Sequence, residues 1–342
     1  MKKISMPCKP QGILLSINKK GKNIMSHNLN VVNGVTSMMY VGETPWHHLG
    51  TKLEKPATAS EAIAAAGLGF HVEKMPLKIE GLDIPVHDHY ATMRTDTKDI
   101  LGVVGSRYIP VQNKDAFSTF DALVGEGQAI YHTAGALGKG ERIWILAKLP
   151  DYIRVRGNDI VEEYLLLTNT HDGSSTVSVK LTPIRVVCEN TLSIALNGTE
   201  QQVRIRHMIQ AIGKLNQAHE ILGLSNKLFE IVKRYFNDMS DKVLNAVLFN
   251  QYINKVFPPP LFTMRSSYMK EVHEKIIELY ETGVGAELSR GTLWGAYNAV
   301  TEYVDHYRLG ARSDSMRLKS MWYGSGDGIK KKAFRCAVEM LN

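Results

Sequence analysis

The spacing of hydrophobic and polar positions changes once along the chain. From about Val31 to Leu196, short apolar runs are separated by glycines, as strands joined by turns would be. From about Gln201, apolar residues recur every three or four positions, as on one face of a helix. In the first region Arg142 to Lys148 (RIWILAK) and Tyr164 to Thr168 (YLLLT) predict strands, being short, apolar and rich in large and β-branched residues. Thr176 to Leu181 alternates polar and apolar, the pattern of a half-buried strand. Asp172-Gly173 predicts the tight turn before it, and Pro183, with no N–H for a ladder, predicts a strand end or bulge.

Two helices interrupt these strands. Thr58-Ala59-Ser60-Glu61 has the form of a capping box, in which hydroxyl and carboxylate reciprocally satisfy two backbone N–H groups; the helix it opens stops at Gly67. Asn113 reads as the N-cap of a helix whose Phe117, Phe120 and Val124 form an apolar stripe. In the second region the period predicts a helix over 201–238 with a break near Gly223-Leu224-Ser225. A second helix, capped by Ser240 or Asp241, ends at Pro258-Pro259-Pro260. A third covers about Ser267 to Glu281, and a fourth starts near Arg290 with Leu293, Tyr297, Val300, Val304 and Tyr307 on one stripe. A last helix covers about Gly328 to Leu341.

The predicted fold is therefore α+β: a curved, mainly antiparallel sheet with flanking helices, followed by a helical C-terminal domain. The division expected is a flexible basic leader over 1–29, a sheet domain over 30–198, and a helical domain over 199–342 with a basic C-terminal segment.

Composition narrows the class. The chain has 342 residues, 44% hydrophobic and 22% charged, which argues for a sizeable core and against wholesale disorder. Cys8, Cys188 and Cys336 are too few and too scattered for a disulfide framework or a cysteine zinc site, and fit a reducing cytoplasm. The start, MKKISMPCKPQGILLSINKK, lacks the apolar core of a signal peptide, and no apolar run approaches membrane-spanning length. The net charge of +7 raises the expectation of a polyanionic partner, because lysines and arginines on phosphates release counterions.

Candidate chemistry lies in a few places. Trp46 with His47 and His48 offers a stacking platform or, alternatively, a buried loop anchor. His87 and His89 alternate as if on one strand face and would hold a metal with a third ligand from His71, His132 or His171-Asp172, among which spacing selects none; a polar edge explains them as well. Cys188 sits in an apolar stretch that makes a thiol inert. Asn298, Glu302 and His306 share a helix face, but the spacing is not that of a zinc protease. Arg185 lies inside an apolar run and requires a carboxylate or phosphate partner: Lys180, Arg185 and Asn190 form an anion site, or Arg185 pairs with Glu189 or another core acid. Near the C-terminus, cations and aromatics alternate through Arg317, Lys319, Trp322, Lys330, Lys331 and Lys332, around a glycine-rich turn at 324–328 that opens a helix.

The stretches TPWHHLG (44–50), GALGKGERIWILAKLP (135–150), TPIRVVCENTL (182–192) and GTLWGAYNAVTEYVDH (291–306) resemble, in that order, the phage/plasmid-like protein family, a domain of unknown function (DUF932). The resemblance runs from about Tyr40 to the C-terminus and leaves the leader before Met25 outside. It implies a mobile-element setting in a bacterial cytoplasm and DNA transactions such as replication or recombination. It supplies no catalytic residues.

The expectation is a non-enzymatic phage or plasmid protein that binds single-stranded DNA, or anneals it, without a cofactor and without a membrane partner. A homo-oligomer fits that role. Its contacts would be Lys180, Arg185, Asn190, Arg317, Lys319, Trp322, Lys330, Lys331 and Lys332. The alternatives are a metal-dependent nuclease or nucleotide hydrolase, and an interaction protein that blocks a host defence factor.

Overall fold

The computed structural model describes residues 29–42, 50–82, 84–125, 129–175, 177–186, 190–191, 202–204, 211–259, 266–308 and 314–342. Residues 1–28 of the expected leader, Trp46, His47, His48, Cys188 and Glu189 fall outside these residues, whereas Leu29 is buried and bridges to Leu137. The fold is α+β, as expected. The strands are β1 (Val31–Val32), β2 (Val35–Thr36), β3 (Met38–Val41), β4 (Thr51–Leu53), β5 (Val72–Ile79), β6 (Ile84–Arg94) and β7 (Ile100–Gly105). They continue as β8 (Ile130–Leu137), β9 (Arg142–Val155), β10 (Asp159–Thr170), β11 (Ser178–Leu181), β12 (Ile184–Arg185), β13 (Asn190–Thr191) and β14 (Gln202–Arg204). The helices are α1 (Ala59–Ala65), α2 (Asn113–Gly125), α3 (Ala211–Asp241), α4 (Ala246–Val256), α5 (Ser266–Thr282), α6 (Leu293–Glu302), α7 (Asp314–Tyr323) and α8 (Ser325–Leu341).

The main sheet runs β13-β12-β10-β9-β8-β3-β4, with β11 on the same edge of β10 as β12 and β14 beyond it. Of its ladders only β3–β4 is parallel. The long β9–β10 hairpin is its centre, paired from Asp159↔Val155 to Thr170↔Arg142. Its two faces follow from strand alternation. Ile143, Ile145, Ala147, Leu165 and Leu167 point to the rear, into a core shared with Ala62, Phe117 and the helices after residue 211. Trp144, Leu146, Tyr164 and Leu166 point to the front, where Met321 and Trp322 of α7 cover them. The Trp144 ring lies so close to Gly135 on β8 that an added Cβ would sit 2.3 Å from it, so only glycine fits there.

Other local expectations hold. Thr58 and Glu61 form the capping box at α1, and Gly67 takes a left-handed φ of 62° just after it. Residues 171–175 bend between β10 and β11, and Pro183 falls between β11 and β12.

The structure departs from the sequence reading in four respects, three in the helical half and one at α2. Residues 202–204 are a strand, because Val203 pairs with Val179 and tertiary pairing overrides local period. Gly223 does not break α3; the exposed position tolerates glycine inside a helix held by packing elsewhere. Neither Ser240 nor Asp241 caps α4: α3 runs through both, and the Asn245 side chain accepts from the Leu248 N–H instead. Asn113 is not a cap either, since its side chain donates to the Leu68 carbonyl and meets His171 Nε2.

Candidate functional site

The nine residues singled out from the sequence separate into three sets. The first is sealed inside the protein. Arg185, 1% exposed, donates through Nε at 2.8 Å and Nη2 at 2.7 Å to the carboxylate of Asp159, and through Nη2 to the Gly285 carbonyl at 2.9 Å. Trp294 Nε1 donates to the same carboxylate at 2.8 Å. The partner is thus a core acid brought alongside by the Val161↔Arg185 register of β10 and β12. Lys330, 0% exposed, is paired with Asp305 at 2.7 Å, beside the π-helical turn Tyr303–Tyr307 that extends α6. In this conformation neither Arg185 nor Lys330 presents its charge outward. Both tie helices to the rest of the fold.

The second set is peripheral or undescribed. Lys332 donates to the Val256 carbonyl at 2.8 Å, joining α8 to the end of α4, and Lys319 is exposed on α7. The side chains of Asn190 and Arg317 lie outside the described residues.

The third set, Lys180, Trp322 and Lys331, converges on one polar cleft of about 220 Å³ on the front face. Its floor is the sheet, with Thr168 and Ser178 directly paired across β10 and β11, and Leu166 opposite Lys180. Its walls are α7, which brings Trp322 and Tyr323, and the first turns of α8, which bring Asp327 and Lys331. The glycine-rich turn is therefore no open loop. Gly324 stands before α8, and Gly326 packs so tightly on Ser320 that a Cβ would lie 2.8 Å from its carbonyl oxygen.

Lys180 donates to the Trp322 carbonyl at 2.9 Å and to Asp327 Oδ1 at 3.1 Å. Lys331 reaches Oδ2 of the same carboxylate at 2.9 Å. Burial holds the Lys180 ammonium down to about 8; the attraction of Asp327 opposes that shift, and Lys331 adds to it. Arg142 at the end of β9 lies over the Tyr323 ring, 4.6 Å from its centroid, and pairs with no carboxylate among the described residues. The Tyr323 hydroxyl accepts from Thr168 at 2.9 Å. Trp322 is 92% buried against Trp144, and its indole Nε1 has no hydrogen-bond partner. Among the described residues, three cations thus meet one carboxylate in this cleft.

Sequence reasoning missed Arg142, Tyr323 and Asp327 as members of this site. Arg142 did carry a signal, as the cation opening the most apolar strand of the chain. Nothing local could bring Tyr323 and Asp327 to it, because the contact spans well over a hundred residues.

The histidines do not assemble. Asp88 takes a left-handed φ of 58°, which breaks the alternation between His87 and His89, both exposed on β6. His171 is buried against Asn113 and Phe70, and desolvation lowers its pKa to about 4. Among the described residues no group of three His, Cys, Asp or Glu side chains is placed to hold a metal ion. Glu302 accepts from the Val284 N–H, and Asn298 donates back to the Trp294 carbonyl, so that helix face is internal. No helix among the described residues is long and apolar enough to cross a membrane.

A mixed fold with an open antiparallel sheet, a helical C-terminal half and a cationic cleft defines the structural class. The family model described as domain of unknown function (DUF932) matches residues 100–322, and the chain belongs to that family. The match takes in the sheet floor of the cleft, Arg142, Lys180 and Trp322, and stops before Asp327 and Lys331. Neither a curated protein nor a solved structure matches the chain significantly.

Proposed function

We propose that this chain is a nucleic-acid-binding protein that takes single-stranded DNA by its backbone at the front cleft, in recombination or replication of a mobile element in the bacterial cytoplasm. The observation that carries this reading is the surplus of cationic donors in the cleft: among the described residues, Arg142, Lys180 and Lys331 stand against Asp327. Cations gathered in excess of their counterions repel one another, and an anionic ligand relieves that repulsion. The Tyr323 ring beside Arg142, and Lys319 exposed on the same helix, suit a strand held by phosphate contacts with little base readout. A net charge of +7 favours approach of a polyanion over a neutral ligand.

The test is a mobility shift with protein freed of co-purified nucleic acid by nuclease, comparing single-stranded DNA, duplex DNA and RNA at about 50 mM salt. The expected result is retention of the single strand, weakening as salt rises. Absence of any retained nucleic acid at that salt would sink the proposal.

A further inference from the structure

We infer that the front cleft is a pocket for a terminal phosphate monoester, so that the protein grips a strand at its phosphorylated end rather than along its length. The inference rests on the reading of the chain as a nucleic-acid-binding protein and adds which part of the nucleic acid enters the cleft.

Size is the first argument. A cleft of about 220 Å³ is smaller than the roughly 300–1,000 Å³ of pockets that enclose drug-sized ligands. That holds a phosphate with its ester oxygen and part of a sugar, but no run of nucleotides. Charge is the second. Arg142, Lys180 and Lys331 against Asp327 leave a surplus of two positive charges. A phosphate monoester carries about −1.5 to −2 at neutral pH, whereas each internal phosphodiester carries a single charge, so the monoester is the better match.

Donor supply is the third. Lys180 has three N–H donors, of which the Trp322 carbonyl and Asp327 take two. Arg142 stacks on Tyr323 and leaves its guanidinium N–H groups without a carboxylate among the described residues. With Lys180 and Lys331 it lines one small volume with donors for the three terminal oxygens of a monoester. Asp327, gripped by Lys180 and Lys331, is the resident anion that keeps the lysines in position when the cleft is empty.

The experiment measures affinity of the full chain, by fluorescence anisotropy, for one single-stranded oligonucleotide in 5′-phosphorylated and 5′-hydroxyl forms, with a nucleoside 5′-monophosphate and inorganic phosphate as competitors. The expected result is at least tenfold tighter binding of the phosphorylated strand, with the preference reduced severalfold in Arg142→Gln and in Lys331→Gln. The second variant changes a side chain that is 38% exposed, so it tests the cleft with little cost to the fold. Equal affinity for the two strands would overturn the end-recognition inference while leaving nucleic-acid binding intact. Binding of the monophosphate with no binding of either strand would keep the pocket and remove the nucleic-acid reading. If neither strand nor monophosphate binds, both fall.

Discussion

Two ion pairs on neighbouring strands, Arg185–Asp159 and Lys180–Asp327, put the same kinds of charge to different uses. Both partners of the first are 1% exposed, and the arginine and carboxylate are saturated by each other, by Trp294 and by the Gly285 carbonyl. The second leaves 18% of Lys180 and 11% of Asp327 exposed, adds Lys331 to the same carboxylate, and sits beside Arg142, which pairs with no carboxylate among the described residues. A buried charge with every donor answered is a fastener. A half-buried cluster with donors left over is a place where something binds. The difference lies in stoichiometry as well as depth, and it separates residues that the sequence alone puts in one group.

The sharpest way to break this comparison is to cut the fastener. Arg185→Met leaves the Asp159 carboxylate buried with only Trp294 as a polar partner, and is expected to lower stability by about 3–5 kcal/mol in denaturant or thermal melts. Lys330→Met, which removes the cation paired with Asp305, belongs to the same class. A loss under about 1 kcal/mol for both would remove the structural role assigned to them.

A second probe is a buried acid with neither kind of arrangement. Glu163, 6% exposed on β10, is pushed up to about 8, chiefly by desolvation and then by repulsion from Asp151 and Glu230. Its folded pKa lies above the unfolded value near 4.5. Its contribution to stability is therefore complete below about pH 4.5 and lost as pH rises to about 8. Glu163→Gln is expected to flatten that part of the stability–pH curve; an unchanged slope between pH 5 and 8 would contradict it.

The cleft answers to pH in the opposite range and through binding. Lys180, held down to about 8, stays charged at neutral pH and neutralises above that value, so affinity for a 5′-hydroxyl strand, whose phosphodiesters keep a constant charge, is expected to be nearly level from pH 6 to 7 and to fall beyond 8. Affinity that is constant to pH 9.5 would exclude Lys180 as a contact. The smallest effect is at the rim: Lys331→Ala, 38% exposed, is expected to change stability by no more than about 1 kcal/mol while weakening binding.

Much of the sheet was legible because its signals are local. The Thr58–Glu61 box, the alternation around 178–181 and the block at Pro183 each act within a few residues. That Arg185 needs an anionic partner was legible, since burial of a guanidinium forces it; the choice between a bound anion and a core acid was not, and it meets a core acid. Which acid was not legible, because Asp159 reaches it only through the register of β10 against β12. The basic C-terminal run misled for a related reason. On α8, Lys330 turns inward to Asp305, Lys332 to the end of α4 and Lys331 to the cleft, so three adjacent lysines meet three environments. Charge density along a sequence does not show which charges face solvent.

The central claim is that the surplus donors of the front cleft, and not the buried pairs, hold the ligand. It is tested most directly by the salt dependence of single-stranded DNA affinity in wild type and in Arg142→Gln/Lys331→Gln. The account predicts wild-type binding whose log–log salt slope is about 0.7 per phosphate contacted, and a double variant, folded as wild type, at least tenfold weaker with a shallower slope. Unchanged affinity and slope in the double variant would contradict it.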